Sequence, residues 1–121
     1  MPTQLEIAYI AGIFDGEGSV DYTRRFDTKR KNRPRSYLCW RITCEIGMTD
    51  YHVLKWFHET LELGTFRPRK ADTKNFPKAK DQWRWRCQHR DALKFAKMII
   101  PYAKTKKEKL QQIIKHYETS L

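Results

Sequence analysis

The chain has 121 residues, enough for one domain around one core, and its 25 lysines and arginines stand against 14 aspartates and glutamates, a net charge of +11. Such an excess points to an acidic partner, either nucleic acid or an anionic membrane surface. No apolar run approaches the roughly 18 residues a spanning helix needs, and the N-terminal MPTQLE has no basic n-region or apolar h-region, so a soluble, intracellular protein without a membrane partner is expected.

Thr3-Gln4-Leu5-Glu6 is a capping-box pattern, and it opens a helix expected to run to about Asp15, where Gly16 stops it. This helix is apolar nearly all round, which predicts burial on two sides. Ile7, Ile10 and Phe14 form a bulky stripe suited to the core, while Ala8, Ala11 and Gly12 form a small one. A mid-helix glycine costs about 1 kcal/mol relative to alanine, so Gly12 is read as serving close backbone packing. In a chain this short the natural partner is the same helix of a second copy.

Ser19 to about Phe26 reads as a strand, and Tyr37 to about Gly47 as another. In the second, Leu38, Trp40, Ile42, Cys44 and Ile46 alternate with Cys39, Arg41, Thr43 and Glu45. The connection between them, residues 27–36, carries five basic residues and no apolar side chain. Thr49 or Asp50 can cap a second helix that turns Val53, Leu54, Phe57 and Leu61 inward and ends at Gly64. A third strand follows from Thr65 to Arg69, and then a basic loop through Lys80. A fourth strand, Asp81 to Gln88, alternates Trp83, Trp85 and Cys87 with Arg84 and Arg86. A third helix runs from about Asp91 until Pro101 breaks it. Thr105-Lys106-Lys107-Glu108 is a second capping box, opening a last helix with Leu110, Ile113, Ile114 and Tyr117 on one face. The expectation is an α+β protein, one domain over residues 1–121, with the order αββαββα and a short C-terminal helix added. Cys39, Cys44 and Cys87 are odd in number with no CxxC pair and read as reduced core or strand residues. His52, His58, His89 and His116 lack metal-ligand partners at useful spacing.

Ile10 to Gly18, IAGIFDGEG, resembles the nine-residue signature of the LAGLIDADG homing endonucleases, with Gly16 in place of its second Ala and Glu17 in place of its second Asp. The element order is also that of the family's half-unit, so the resemblance covers nearly the whole chain. It implies a curved four-stranded antiparallel sheet lying along the DNA major groove. For a chain with one signature it implies a homodimer joined through the first helix, with Ala8, Ala11, Gly12 and Asp15 at the interface. It further implies Mg²⁺, or Mn²⁺ as a substitute, held by Glu17 of each subunit with help from the Gly16 carbonyl. The activity implied is site-specific cleavage of double-stranded DNA on a long pseudo-palindromic target, leaving short 3′ overhangs.

The residue chemistry agrees with this. Mg²⁺ wants oxygen ligands, usually one or two carboxylates plus phosphate and water. Read without the resemblance, Asp15 and Glu17 merely end a helix in a glycine turn. Yet each negative charge at a helix C-terminus opposes the macrodipole by about 0.3–1 kcal/mol, a cost a bound cation offsets. Asp15 is assigned a structural role and Glu17 the metal. The run from Pro101 to Lys107 resembles the family's segment before its last helix, whose lysine sits near the reactive water, which makes Lys106 the second catalytic candidate; a solvated lysine run is the alternative. Some relatives place a glutamine after the second strand to order water, whereas this chain reads Gly47-Met48-Thr49-Asp50.

With the apolar strand positions turned to the core, the opposite faces carry Thr23, Arg25, Arg41, Thr43, Glu45, Arg67, Arg69, Arg84 and Arg86. Arginine pairs bidentately with guanine and glutamate can accept from cytosine, so these are the candidate base readers. Lys29, Arg30, Lys31, Arg33 and Lys74, in the loops, are candidate phosphate contacts. Two rivals stand beside the endonuclease. One is a maturase or regulator that keeps the fold and binds DNA or intron RNA without cutting. The other is an unrelated small basic RNA-binding protein, which leaves the small-residue first helix unexplained.

Overall fold

The computed structural model describes residues 2–27 and 37–119. Helix α1 spans Gln4–Glu17 and opens with the expected box. The Glu6 amide donates to Thr3 Oγ1 at 3.1 Å and the Thr3 amide donates to Glu6 Oε1 at 2.9 Å. Gly16 does not stop the helix; it runs on to Glu17, with the Gly18 amide donating to the Phe14 carbonyl. The reason is local packing. The chain turns straight into the first strand at Gly18, where a Cβ would lie 2.4 Å from the Phe14 ring, whereas one at Gly16 meets nothing within 4 Å.

Strands β1 (Gly18–Asp27) and β2 (Tyr37–Met48) follow, then helix α2 (Tyr51–Leu61), strands β3 (Thr65–Arg69) and β4 (Gln82–Gln88), and helices α3 (Arg90–Ile99) and α4 (Lys107–Thr119). Asp50 caps α2 by accepting from the Val53 amide at 3.1 Å. The exit from α2 uses two left-handed residues, Glu62 at φ 55 and Gly64 at φ 81. A side chain at Gly64 would be doubly disfavoured, since its Cβ would sit 2.7 Å from the Arg86 carbonyl. Helix α4 is not the short addition expected. Its 13 residues exceed the 10 of α3, and Leu110 and Ile113 are fully buried.

The strands form one antiparallel sheet in the order β1-β2-β4-β3. Register puts Val20 opposite Cys44 and Cys44 opposite Cys87; Ile46 faces Trp85, which faces Phe66. These apolar side chains share one face, and all four helices pack on the sheet or on one another. Trp85 is the centre of the core. Its ring meets Phe57 and Phe95 at centroid distances of 4.8 Å each, and its Nε1 donates to the Leu63 carbonyl at 3.1 Å, so its polar atom is satisfied. The hydrogen bond to Cys44, with burial, pushes the Cys87 thiol well above its usual range, as expected of core cysteines. Trp40 lies on the same face but remains 38% exposed, stacked on Tyr22 at 4.8 Å. Among the described residues, no helix is long and apolar enough to cross a membrane.

Candidate functional site

Glu17 is the last residue of α1; it is exposed, and among the described residues its carboxylate makes no hydrogen bond or ion pair. The last intrahelical bond of α1 ends on the Phe14 carbonyl, which leaves the carbonyls of Asp15, Gly16 and Glu17 without a helical donor. The first of these is taken by Lys106, whose Nζ donates to it at 3.2 Å. The Asp15 carboxylate accepts from the Lys104 amide at 2.7 Å and from the Lys106 amide at 3.2 Å. The Lys106 carbonyl in turn accepts the Leu110 amide at 3.0 Å, so Asp15 pins the turn that leads into α4 from a distant part of the chain. The expected box at Thr105 does not form among the described residues. The fold thus brings the signature acids and Lys106 to one place.

No group of three or more His, Cys, Asp or Glu side chains stands at metal-ligand spacing among the described residues. With both Asp15 oxygens engaged, the helix end offers one uncommitted carboxylate, that of Glu17, and the Gly16 carbonyl. These are hard oxygen donors of the kind Mg²⁺ takes together with phosphate and water.

The outer side of α1 differs from the expected small stripe. Ala11 is fully buried in the core of its own chain, because it sits one position from Ile10 and Phe14 lies three further on, on the same side of the helix. Asp15 is also committed within its own chain. Asp15 nonetheless stays partly exposed, whereas Ala11 does not belong to an outward face. Gly12 does: a Cβ there meets nothing within 4 Å. Leu5 is 84% and Tyr9 59% exposed on the same helix, and Ala8, Tyr9, Gly12, Ile13, Gly16 and Glu17 line a shallow groove with Met48 and Val53.

The polar face of the sheet is an array of arginines tied by two acids. Glu45 Oε1 pairs with Arg84 Nε at 3.2 Å, and Oε2 accepts from Arg86 Nε at 2.9 Å and its second terminal nitrogen at 2.7 Å. Asp21 Oδ2 pairs with Arg41 Nε at 3.2 Å and with Arg25 at 3.7 Å, while Thr23 Oγ1 donates to Asp21 Oδ1 at 2.8 Å. Asp21 was not among the candidates from sequence. Its place in the alternation was the available signal, since register sets it opposite Thr43 on the polar face. Arg67 and Arg69 are exposed and unpaired among the described residues. Thr43 is a correction: it is only 4% exposed, its hydroxyl has no partner among the described residues, and it cannot present itself to a groove. The cause is its central strand, flanked by Asp21 on one side and Gln88 on the other.

Lys74 is exposed on the β3–β4 loop. Asp72 orders that loop by accepting from the Asn75 side chain at 2.8 Å and its amide at 3.2 Å, contacts that hold its carboxyl below the usual carboxylate range. Lys29, Arg30, Lys31 and Arg33 lie outside the described residues.

The architecture is an αββαββα unit with a further helix, an arginine-lined sheet face and an acid at the end of its signature helix. No protein-family model matches the chain, and no curated protein matches it in sequence. Solved structures do. The homing endonuclease I-CvuI, crystallised in complex with DNA targets in the presence of 2 mM Mg or 2 mM Ca, superimposes with a TM-score of 0.72 at 15% identity, covering 93% of this chain and 65% of that one. An archaeal intron-encoded homing endonuclease complexed with DNA gives 0.65 at 17% identity, covering 90% of this chain and 64% of that one. The LAGLIDADG meganuclease I-CpaMI, bound to uncleaved DNA, gives 0.50 at 18% identity over 79% of this chain and 28% of that one. This chain accordingly has the α+β fold of a LAGLIDADG half-unit, and spans less than two thirds of the length of I-CvuI.

Proposed function

We propose that this chain is a site-specific endonuclease of double-stranded DNA that works as a homodimer and hydrolyses one phosphodiester in each strand of a long pseudo-palindromic target. One observation carries the reading: the signature helix ends in the uncommitted Glu17 carboxylate at the point where Asp15 fastens Lys106. The DNA complexes of the structural neighbours support it.

Glu17 and the Gly16 carbonyl would hold Mg²⁺, or Mn²⁺ in its place. When bound, such an ion polarises the scissile phosphate and lowers the pKa of the attacking water. The chain does the rest. Protomers joined along the Gly12 face of α1 bring one Glu17 each to the twofold axis, which provides one cut per strand; the expected products carry short 3′ overhangs. Lys106, with its ammonium held at the helix end, offsets the negative charge that builds on the phosphate and orients water as the P–O bond breaks. Arginines of the sheet face read base edges, and the basic loops seat the phosphates.

The test is a titration of Mg²⁺ against nicking of a plasmid library carrying randomised inserts. Ion-dependent, sequence-selective linearisation is expected. Selective binding with no nicking at any Mg²⁺ or Mn²⁺ concentration would instead make the chain a non-cleaving binder.

A further inference from the structure

The two carboxylates on the sheet face are placed to do more than neutralise charge. Arg86 donates from Nε to Glu45, while the Nε of Arg84 lies 3.2 Å from Glu45 and the Nε of Arg41 3.2 Å from Asp21 in ion pairs. Held by the Nε side, Arg41 and Arg84 keep both terminal nitrogens for another acceptor, and Arg86 keeps one. The Glu45 pairs are partly sheltered, with Glu45 at 25% side-chain exposure and Arg84 and Arg86 at 27% and 29%, while Arg41 in the Asp21 pair is 43% exposed. Salt therefore screens the Glu45 pairs less than it screens open surface pairs. Arg67, directly across from Arg84 in the register, has no such partner among the described residues, so one face carries both tied and untied arginines.

We propose that Glu45 and Asp21 are specificity-determining positioning residues: each fixes arginines by their Nε edge, aims the terminal nitrogens outward, and removes positive charge that would otherwise seek phosphate. The proposal rests on the DNA-binding reading above. A free arginine has many rotamers and meets phosphates as well as base edges, so the phosphate share of its affinity carries no sequence information. An arginine already oriented loses less freedom on meeting a guanine edge. Each acid thus lowers general affinity and raises discrimination. On this view Glu45 acts through Arg84 and Arg86 and is not itself the partner of a cytosine.

The experiment uses the full chain with Glu45→Gln and Asp21→Asn, each checked for folding by thermal denaturation. Binding is measured against a single-base-substitution library of the preferred target at two salt concentrations. Glu45→Gln should lower discrimination about tenfold, the size of one bidentate contact, at the positions that Arg84→Ala and Arg86→Ala also affect. Positions affected by Arg67→Ala and Arg69→Ala should be unchanged. Affinity for unrelated DNA should rise, and the salt slope should steepen by about one per protomer as a freed arginine finds phosphate. Asp21→Asn should act alike at the positions Arg41→Ala affects. A folded Glu45→Gln protein with wild-type discrimination and salt slope overturns the proposal. Failure of both variants to fold does so too, because the carboxylates would then be struts of the sheet. A wild type with no sequence preference at all removes the DNA reading itself, a result distinguishable from either.

Discussion

Glu17 and Lys106 sit at one helix end for different physical reasons, and their variants separate those reasons. Glu17 is exposed and makes no bond among the described residues, so Glu17→Gln removes a charge without breaking a contact seen in the fold. Strand cleavage should fall at least about a hundredfold, the scale on which losing one charge-stabilising group acts. Binding to the preferred site should stay within a few-fold, and thermal stability without metal should rise slightly as the charge opposing the helix dipole is removed; single-turnover cleavage, equilibrium binding and thermal denaturation check these. Lys106→Met gives up one bond from Nζ to the Asp15 carbonyl, worth about 0.5–1.5 kcal/mol. The Asp15 carboxylate still holds the amides of residues 104 and 106, so the loop should keep its place. Cleavage at saturating Mg²⁺ should drop well beyond what that small stability loss explains. A cleavage rate that follows stability alone would return Lys106 to the solvated-lysine reading.

At the scale of elements, α1 is asked to serve two neighbours, and the sequence showed only part of that. The order of elements and the α1 and α2 caps were legible because each rests on contacts three or four residues apart. The strand faces were legible because they rest on a period of two. The end of α1 was not, since Gly16 and Gly18 look alike in sequence and only the Phe14 ring decides between them. Nor could local pattern show that Ala11 is core and Gly12 outward, that Asp15 pins the turn before α4 across 91 positions of chain, or that Thr43 is buried between strands. Asp15→Ala tests this long-range tie. It should cost about 1–2 kcal/mol through the two orphaned amides, visible as a lower Tm. Gly12→Leu tests the other side of the helix. Because space around Gly12 is open within one protomer, the larger side chain should leave the folded monomer intact. It should nonetheless split the proposed dimer, since overpacking a close helix contact is unfavourable by about 1–3 kcal/mol or more. Sedimentation at micromolar concentration is the measurement; a wild-type monomer, or a variant that remains a dimer, would move the interface elsewhere.

The sheet carries the helices on one side and Arg25, Arg41, Arg67, Arg69, Arg84 and Arg86 on the other, and that division sets the form of the target. A twofold pair of such units should read two half-sites related by the same symmetry, each about one helical turn from the next, so the site should be pseudo-palindromic and span roughly 20 base pairs. The basic residues should then fall into two groups by position. Arg67 and Arg69 stand on a strand held in register by the Phe66–Trp85 pairing beneath it, and so meet fixed places in a groove. Losing either should cost about 1–3 kcal/mol at one base position and leave the others alone. Lys74 is exposed on a loop, and it is grouped by sequence with Lys29, Arg30, Lys31 and Arg33. Losing any of these should weaken all sequences alike and reduce the salt slope by about one. Alanine variants measured on a base-substitution library at two salt concentrations give both quantities at once. If strand variants lose affinity uniformly while loop variants change sequence preference, the sheet is not the reading surface and the groove contact must lie on another part of the fold.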